Sequence, residues 1–199
     1  MEDWVNRALA KWPNVPALYG WLGLDRRGRW LIKGELISRP QIIDTINRNY
    51  AADEHGRWYF QNGPQRGYVT LEYAPLLLRV DGGGQLCTHT DCVVEQLHAL
   101  SLDEDGALTL VTEHGAGLLD DHDLYWALAH LRVGDAAPDE AQLEDALAQP
   151  GDTLTGLRWH GPLTAKPLPV MRIDYAALPT QLGFVRDPAA NPVTDAKNA

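Results

Sequence analysis

The chain has 199 residues, 45% hydrophobic and 22% charged, with a net charge of -10 and a pI near 5.0. Those values fit one domain or two small ones, and with no concentrated basic face they exclude nucleic acid and anionic membrane as expected partners. No apolar run approaches the roughly 20 residues that span a bilayer, Met1-Glu2-Asp3-Trp4 lacks the features of a signal peptide, and two cysteines make no disulfide framework, so a cytoplasmic location is expected.

Residues 1–16 read as an N-terminal helix and connector. Trp4, Val5, Ala8, Leu9 and Trp12 fall on one helical stripe, and Pro13 stops it. A hairpin follows, with strands on either side of the turn Asp25-Arg26-Arg27-Gly28. Ser38 and Pro40 suit the start of a helix that carries Ile42, Ile43, Ile46 and Tyr50. Asp53-Glu54-His55-Gly56 is a turn, and Asn62-Gly63-Pro64 joins an aromatic strand at 57–61 to an alternating strand at 68–73. Leu76 to Val80 continues as a short apolar strand.

Asp81-Gly82-Gly83-Gly84 reads as a flexible joint and sets the expected boundary, giving a first repeat at 17–81 and a second at 82–186. Residues 85–95 fit either a short helix or a strand. Strands flanking Asp105-Gly106 form a further hairpin. Asp121 suits the cap of a helix with Leu124, Tyr125, Leu128 and Leu131, and an inserted helix is expected near 138–149. Strands at 153–159 and 168–175 complete the second copy, and 187–199 reads as a flexible tail.

Signatures occur twice in the same order. Leu24-Asp25-Arg26-Arg27-Gly28 is matched by Leu102-Asp103-Glu104-Asp105-Gly106, Arg57-Trp58 by Arg158-Trp159, Gly63-Pro64 by Gly161-Pro162, and Glu72-Tyr73-Ala74 by Asp174-Tyr175-Ala176. The expected fold is therefore α+β: two tandem strand-strand-helix-strand-strand units with mostly antiparallel sheets, packed as a pseudo-symmetric pair.

The runs Leu24 to Trp30, Gly34 to Pro40, Gly56 to Tyr59 and Leu71-Glu72-Tyr73-Ala74-Pro75 resemble a bacterial family of unknown function. The resemblance covers roughly residues 20–185 and implies two similar strand-and-helix repeats with a suggested role in signal transduction. Glu72-Tyr73-Ala74-Pro75 stands where acid-acid-Ala-Pro is expected, and Cys87 to Cys92 has no counterpart. The resemblance carries no catalytic residue.

Cys87-Thr88-His89-Thr90-Asp91-Cys92 is the most suggestive local cluster for chemistry. Its thiolates and imidazole suit zinc, with His98, His114 or His122 as a fourth ligand, although the spacing matches no common zinc module. The same residues would centre a cysteine-dependent enzyme. Asp120-Asp121-His122-Asp123 is better explained by helix capping than by a cation. No phosphate loop, dinucleotide fingerprint or serine-hydrolase elbow is present.

The leading expectation is a non-enzymatic ligand-sensing or interaction protein, with a small-molecule or protein partner. Its ligand would sit between the copies against Arg57, Trp58, Glu72, Tyr73, Arg158, Trp159, Asp174 and Tyr175. The same residues also suit strand stapling and core filling. The alternatives are the metal or cysteine site at Cys87, His89 and Cys92, and an adaptor that uses the N-terminal helix.

Overall fold

The computed structural model describes residues 17–189, together with Asp3, Arg7, Ala10 and Lys11 of the N-terminal stretch. Trp4 and Trp12 of the predicted first helix, and most of the predicted tail, lie outside the described residues. The chain forms two units, one of residues 1–75 with 183–199 and the other of residues 76–182. No helix among the described residues is long and apolar enough to cross a membrane.

In the first unit, β1 (Leu18–Leu24), β2 (Trp30–Ile32) and β3 (Glu35–Leu36) precede α1 (Pro40–Arg48), and β4 (Tyr50–Ala52), β5 (Trp58–Asn62) and β6 (Gln65–Leu71) follow it. The sheet order is β3-β2-β1-β6-β5-β4. Neighbours pair antiparallel except at the centre, where β1 and β6 run parallel with Leu22 beside Val69 and Leu24 beside Leu71. Leu22, Leu24, Trp30, Val69 and Leu71 are buried there, and Ile46 packs as the buried residue of α1. Trp30 Nε1 donates to Asn47 Oδ1 at 2.8 Å and ties the helix to β2. Arg39, not Ser38, is the N-cap of α1, with Pro40 opening the helix. Residues 183–187 close this unit: Val185 bridges Arg57, and Leu71 N donates to Arg186 O at 2.8 Å.

The second unit opens with the hairpin β7 (Leu76–Val80) and β8 (Leu86–Thr88). Then come β9 (Leu97–Leu102), β10 (Leu108–Thr112), β11 (Gly115–Leu119), a 3-10 turn at Asp121–Asp123, α2 (Leu124–Leu128) and β12 (Leu131–Arg132). The unit ends with α3 (Glu140–Ala148), β13 (Thr153–Trp159), β14 (Leu168–Arg172) and α4 (Leu178–Leu182). The sheet order is β12-β13-β14-β9-β10-β11-β7-β8, with parallel pairs β14/β9 and β11/β7. The core joins Leu78, Leu100, Leu110, Leu157, Trp159 and Val170.

Three features differ from the sequence reading. Within the series β1 to β6 and β9 to β14, α1 and α2 each have three strands before them and three after, not two, because β3 and β12 have two residues each and β4 three, too short for a periodic signal, and β11 opens on Gly-Ala-Gly. Both sheets are mixed: parallel joins bring together strands distant in sequence, which no local pattern encodes. Residues 76–80 belong to the second unit because β7 pairs with β11 and β8, so Asp81–Gly84 is a hairpin turn inside that unit.

One turn recurs four times, at Asp25, Asp53, Asp81 and Asp103. In each, the aspartate N–H donates to the carbonyl four residues on, and the glycine three residues on donates to the aspartate carbonyl. Each Oδ1 accepts from the amides two and four residues ahead. The glycine has positive φ in every case, between 73° and 83°. The match between residues 24–28 and 102–106 therefore reports a turn chemistry that the chain also uses elsewhere.

Candidate functional site

An apolar cavity of about 170 Å³ lies inside the second unit, between the sheet and helices α2 and α3. The sheet supplies Leu102, Leu108, Leu131, Leu157 and Val170 from five different strands. Helix α2 supplies Leu124, Ala127 and Leu128, at helical spacings of three and four that set them on one face. Helix α3 supplies Leu143 and Leu147 by the same rule. Gly106 completes the wall at the tip of the β9–β10 turn, where an added Cβ would stand 3.7 Å from Leu147.

Local chemistry holds the roof in place. Asp139 caps α3 by a reciprocal box, accepting from Gln142 N at 2.9 Å while its own N–H donates to Gln142 Oε1 at 3.0 Å. At the other end, buried Arg172 on β14 donates from Nε to Leu147 O at 3.2 Å and pairs with Asp174 at 2.9 Å. Asp120 caps the 3-10 turn before α2, and Asp123 Oδ2 accepts from Val80 N at 2.9 Å. Burial raises the Asp120 carboxyl, but hydrogen bonds from His122 hold it below its ordinary range. The acidic run 120–123 thus caps backbone, as its sequence suggests.

The wall contains leucine, valine, alanine and glycine side chains only. It offers no acid, base or nucleophile, so it can bind apolar matter by burial and cannot polarise a bond. The sequence reading missed this site. The leucines of β9, β10 and β13 carry no signal apart from core filling, and only the helical spacing of Leu124 and Leu128, and of Leu143 and Leu147, hinted at it.

The predicted site residues fall in separate places within each unit. Arg57 and Trp58 lead into β5, whereas Arg158 and Trp159 end β13, so the matched pairs do not occupy matched positions. Arg57 is buried, donating to Asp53 and to Tyr68 Oη, and its guanidinium lies 4.6 Å from the Tyr68 ring centroid. Trp58 and Tyr73 are buried, and Trp159 is fully buried with Nε1 donating to Pro162 O at 3.1 Å. Glu72 accepts from Arg26 N at 3.0 Å, Arg158 donates to Pro167 O at 3.2 Å, and Tyr175 N donates to Glu104 at 2.8 Å.

Cys87, His89 and Cys92 diverge across a tight turn. Thr88 N donates to Cys92 O at 2.9 Å, and Cys92 N to Thr88 Oγ1 at 3.1 Å. His89 turns inward, where Leu77 N donates to its Nδ1 at 3.2 Å. Burial, with the nearby charge of Arg79, lowers its pKa to about 3, so it is a neutral core histidine. Burial raises the Cys87 thiol, with Asp81 and Asp91 acting in the same direction. Among the described residues no three His, Cys, Asp or Glu side chains converge as a metal-ligand set. Glu113 and His114 hold backbone, the former accepting from Glu95 N and Gln96 N and the latter meeting Val93 O at 2.7 Å.

Comparison with known proteins adds fold information. The chain is similar to a DUF1285 family protein from Silicibacter pomeroyi DSS-3, with TM-score 0.53 at 16% identity over 79% of this chain and 84% of that one. A DUF1285 family protein from Shewanella baltica OS155 aligns at TM-score 0.41 and 16% identity over 53% of this chain and 88% of that one. No curated protein matches. A family profile, DUF2944, described as "Protein of unknown function (DUF2946)", matches residues 1–189, and the chain belongs to that family.

Proposed function

We propose that this chain is a non-catalytic ligand-sensing protein whose second unit takes a small apolar molecule into the cavity beneath α2 and α3. The observation that carries this reading is the uniformly apolar wall around about 170 Å³. Cavities near 150 Å³ lined by aliphatic side chains stay dry and accept benzene, so a single ring or a short branched chain suits this one. Occupancy would tie two short helices to the sheet. Tyr125, 87% exposed and next to Leu124 in the chain, would carry that change to the surface of α2. A regulatory role of this kind agrees with the signalling role implied by the resemblance.

We also read the two units as copies of one module. The series β1-β2-β3-α1-β4-β5-β6 and β9-β10-β11-α2-β12-β13-β14 have the same element order apart from α3, inserted between β12 and β13, and in each the first strand lies parallel to the last. That shared order supports duplication more strongly than the short sequence signatures do.

The test is a titration of the full chain with benzene, toluene and xenon, followed by backbone NMR and thermal unfolding. Binding should shift resonances of α2, α3 and β13, and occupancy at a hundred times Kd should add about 2.7 kcal/mol of stability. Ala127→Leu, which fills the cavity, should abolish both responses while the protein stays folded. If no apolar probe perturbs α2 or α3, or if the filled variant responds like the parent, the reading fails.

A further inference from the structure

Strand pairing sets two arginines against each other at the edge of the second sheet. Arg132 of β12 and Arg158 of β13 are directly opposite in register, so their Cβ atoms stand about 5 Å apart on one face. That face is not the cavity's. Leu131 and Leu157, their neighbours along the strands, line the cavity, and successive strand residues point to opposite sides. Arg158 is exposed and Arg132 half-buried. Gly156, two residues before Arg158, is exposed, and a Cβ there would meet nothing within 4 Å, so the strand surface next to Arg158 is bare.

Like charges directly opposite destabilise a strand pair, and no acid relieves these two. Among the described residues Arg29, Arg57 and Arg172 each pair with a carboxylate, whereas Arg132 and Arg158 pair with none. They donate to backbone: Arg132 Nη1 to Ala129 O at 2.9 Å and Leu131 O at 2.6 Å, and Arg158 Nη2 to Pro167 O at 3.2 Å. Those bonds hold the two forks without neutralising them, and a guanidinium has five N–H donors, so each keeps donors for a ligand. The sequence around them is free of acids. In a chain of net charge -10, residues 124–134 and 153–173 contain no Asp or Glu, and the second stretch adds Lys166.

We propose that Arg132 and Arg158 form a binding site for an oxyanion, the phosphate or carboxylate group of a small molecule. A planar guanidinium matches either group through paired N–H donors, and a bound anion offsets the repulsion that the strand pairing creates. The site does not rest on the cavity reading, since it lies on the opposite face of the same strands.

The test is an NMR titration of the full chain with sodium phosphate and with sodium succinate, against sodium chloride at matched ionic strength, following amide and arginine Nε–H resonances. Phosphate or succinate should shift residues 131–132 and 156–159 saturably, and chloride should not. Arg158→Gln and Arg132→Gln should each weaken that binding about tenfold or more, as the loss of a hydrogen bond to a charged group does. Arg27→Gln, at an exposed turn, should leave it unchanged. A stronger response to phosphate assigns a phosphoryl ligand, and a stronger response to succinate a carboxylate. No saturable shift with either anion would overturn the proposal, as would equal binding by the parent and Arg158→Gln, or an equal loss in Arg27→Gln. Should Arg132→Gln loosen α2, whose C-cap carbonyl it holds, Arg158→Gln decides alone.

Discussion

Arg57 and Asp53 close the β4–β5 turn through a bond of 2.8 Å with both side chains almost fully enclosed, at 9% and 2% exposure. The same turn at Asp25 makes the same pairing with Arg29 at 2.7 Å, but there the arginine is 56% exposed. One local motif thus appears in two dielectric settings. Arg57→Ala strands a buried carboxylate, for which losses of about 3–5 kcal/mol are usual. Arg29→Ala removes a solvated partner, worth about 1 kcal/mol or less. Denaturant unfolding of the two variants should show that separation, with only Arg29→Ala losing its effect in high salt.

Two groups give the fold an acid limit in different pH windows. His89 has its folded pKa lowered to about 3, below the unfolded value near 6.5. Between those values the unfolded chain binds the extra proton, so stability is lost as pH falls from about 6.5, by up to about 1.4 kcal/mol per unit. His89→Gln, which keeps an acceptor for Leu77 N, should flatten that stretch of the profile. Burial pushes the Asp53 carboxyl up, but hydrogen bonds from the Arg57 side chain and nearby amides bring it below its ordinary value. Its contribution is present above the unfolded value near 3.9 and disappears as pH falls through the lower folded one. Asp53→Asn should therefore alter the profile only below about pH 4.

What the sequence disclosed follows the range of the physics. The aspartate turns at Asp25, Asp53 and Asp103, the helix at Ile42 and Ile46, and the helix at Glu140 are written in residues a few positions apart, and each was legible, whereas the turn at Asp81 read as a flexible joint because of its three glycines. The parallel pairing of Leu22 with Val69, and of Val170 with Leu100, joins residues that share no local pattern. The cavity was hidden for the same reason: Leu102, Leu131, Leu157 and Val170 meet only after the sheet has formed. Arg-Trp drew attention by recurring, yet Trp58 starts one strand and Trp159 finishes another.

The two thiols should separate by reactivity. Cys92 is exposed, whereas Cys87 is half-buried with a thiol raised first by burial and then by Asp81 and Asp91. Since the thiolate is the reacting form, iodoacetamide at pH 7 should label Cys92 about tenfold or more ahead of Cys87, read by peptide mass spectrometry. Protein purified without chelator or tag should be analysed for zinc alongside. Stoichiometric zinc with both thiols protected would restore the Cys87, His89 and Cys92 site.

Gly56 and Gly106 hold the same place in two copies of the turn, with φ of 73° and 82°. Their surroundings differ. A Cβ on Gly106 would meet only the Leu147 side chain, at an ordinary 3.7 Å. A Cβ on Gly56 would collide with the backbone carbonyl of Gly183, in the segment where Val185 N donates to Gly56 O at 2.9 Å. Left-handed backbone alone charges alanine about 1–2 kcal/mol at either site. Gly106→Ala should lose about that much, because the leucine can yield. Gly56→Ala must in addition displace residues 183–187 from the first unit, so its loss should be at least twice as large. Exchange should rise at Leu71, whose N–H donates to Arg186 O. Equal losses in the two variants would mean that the returning segment does little to hold the first unit together.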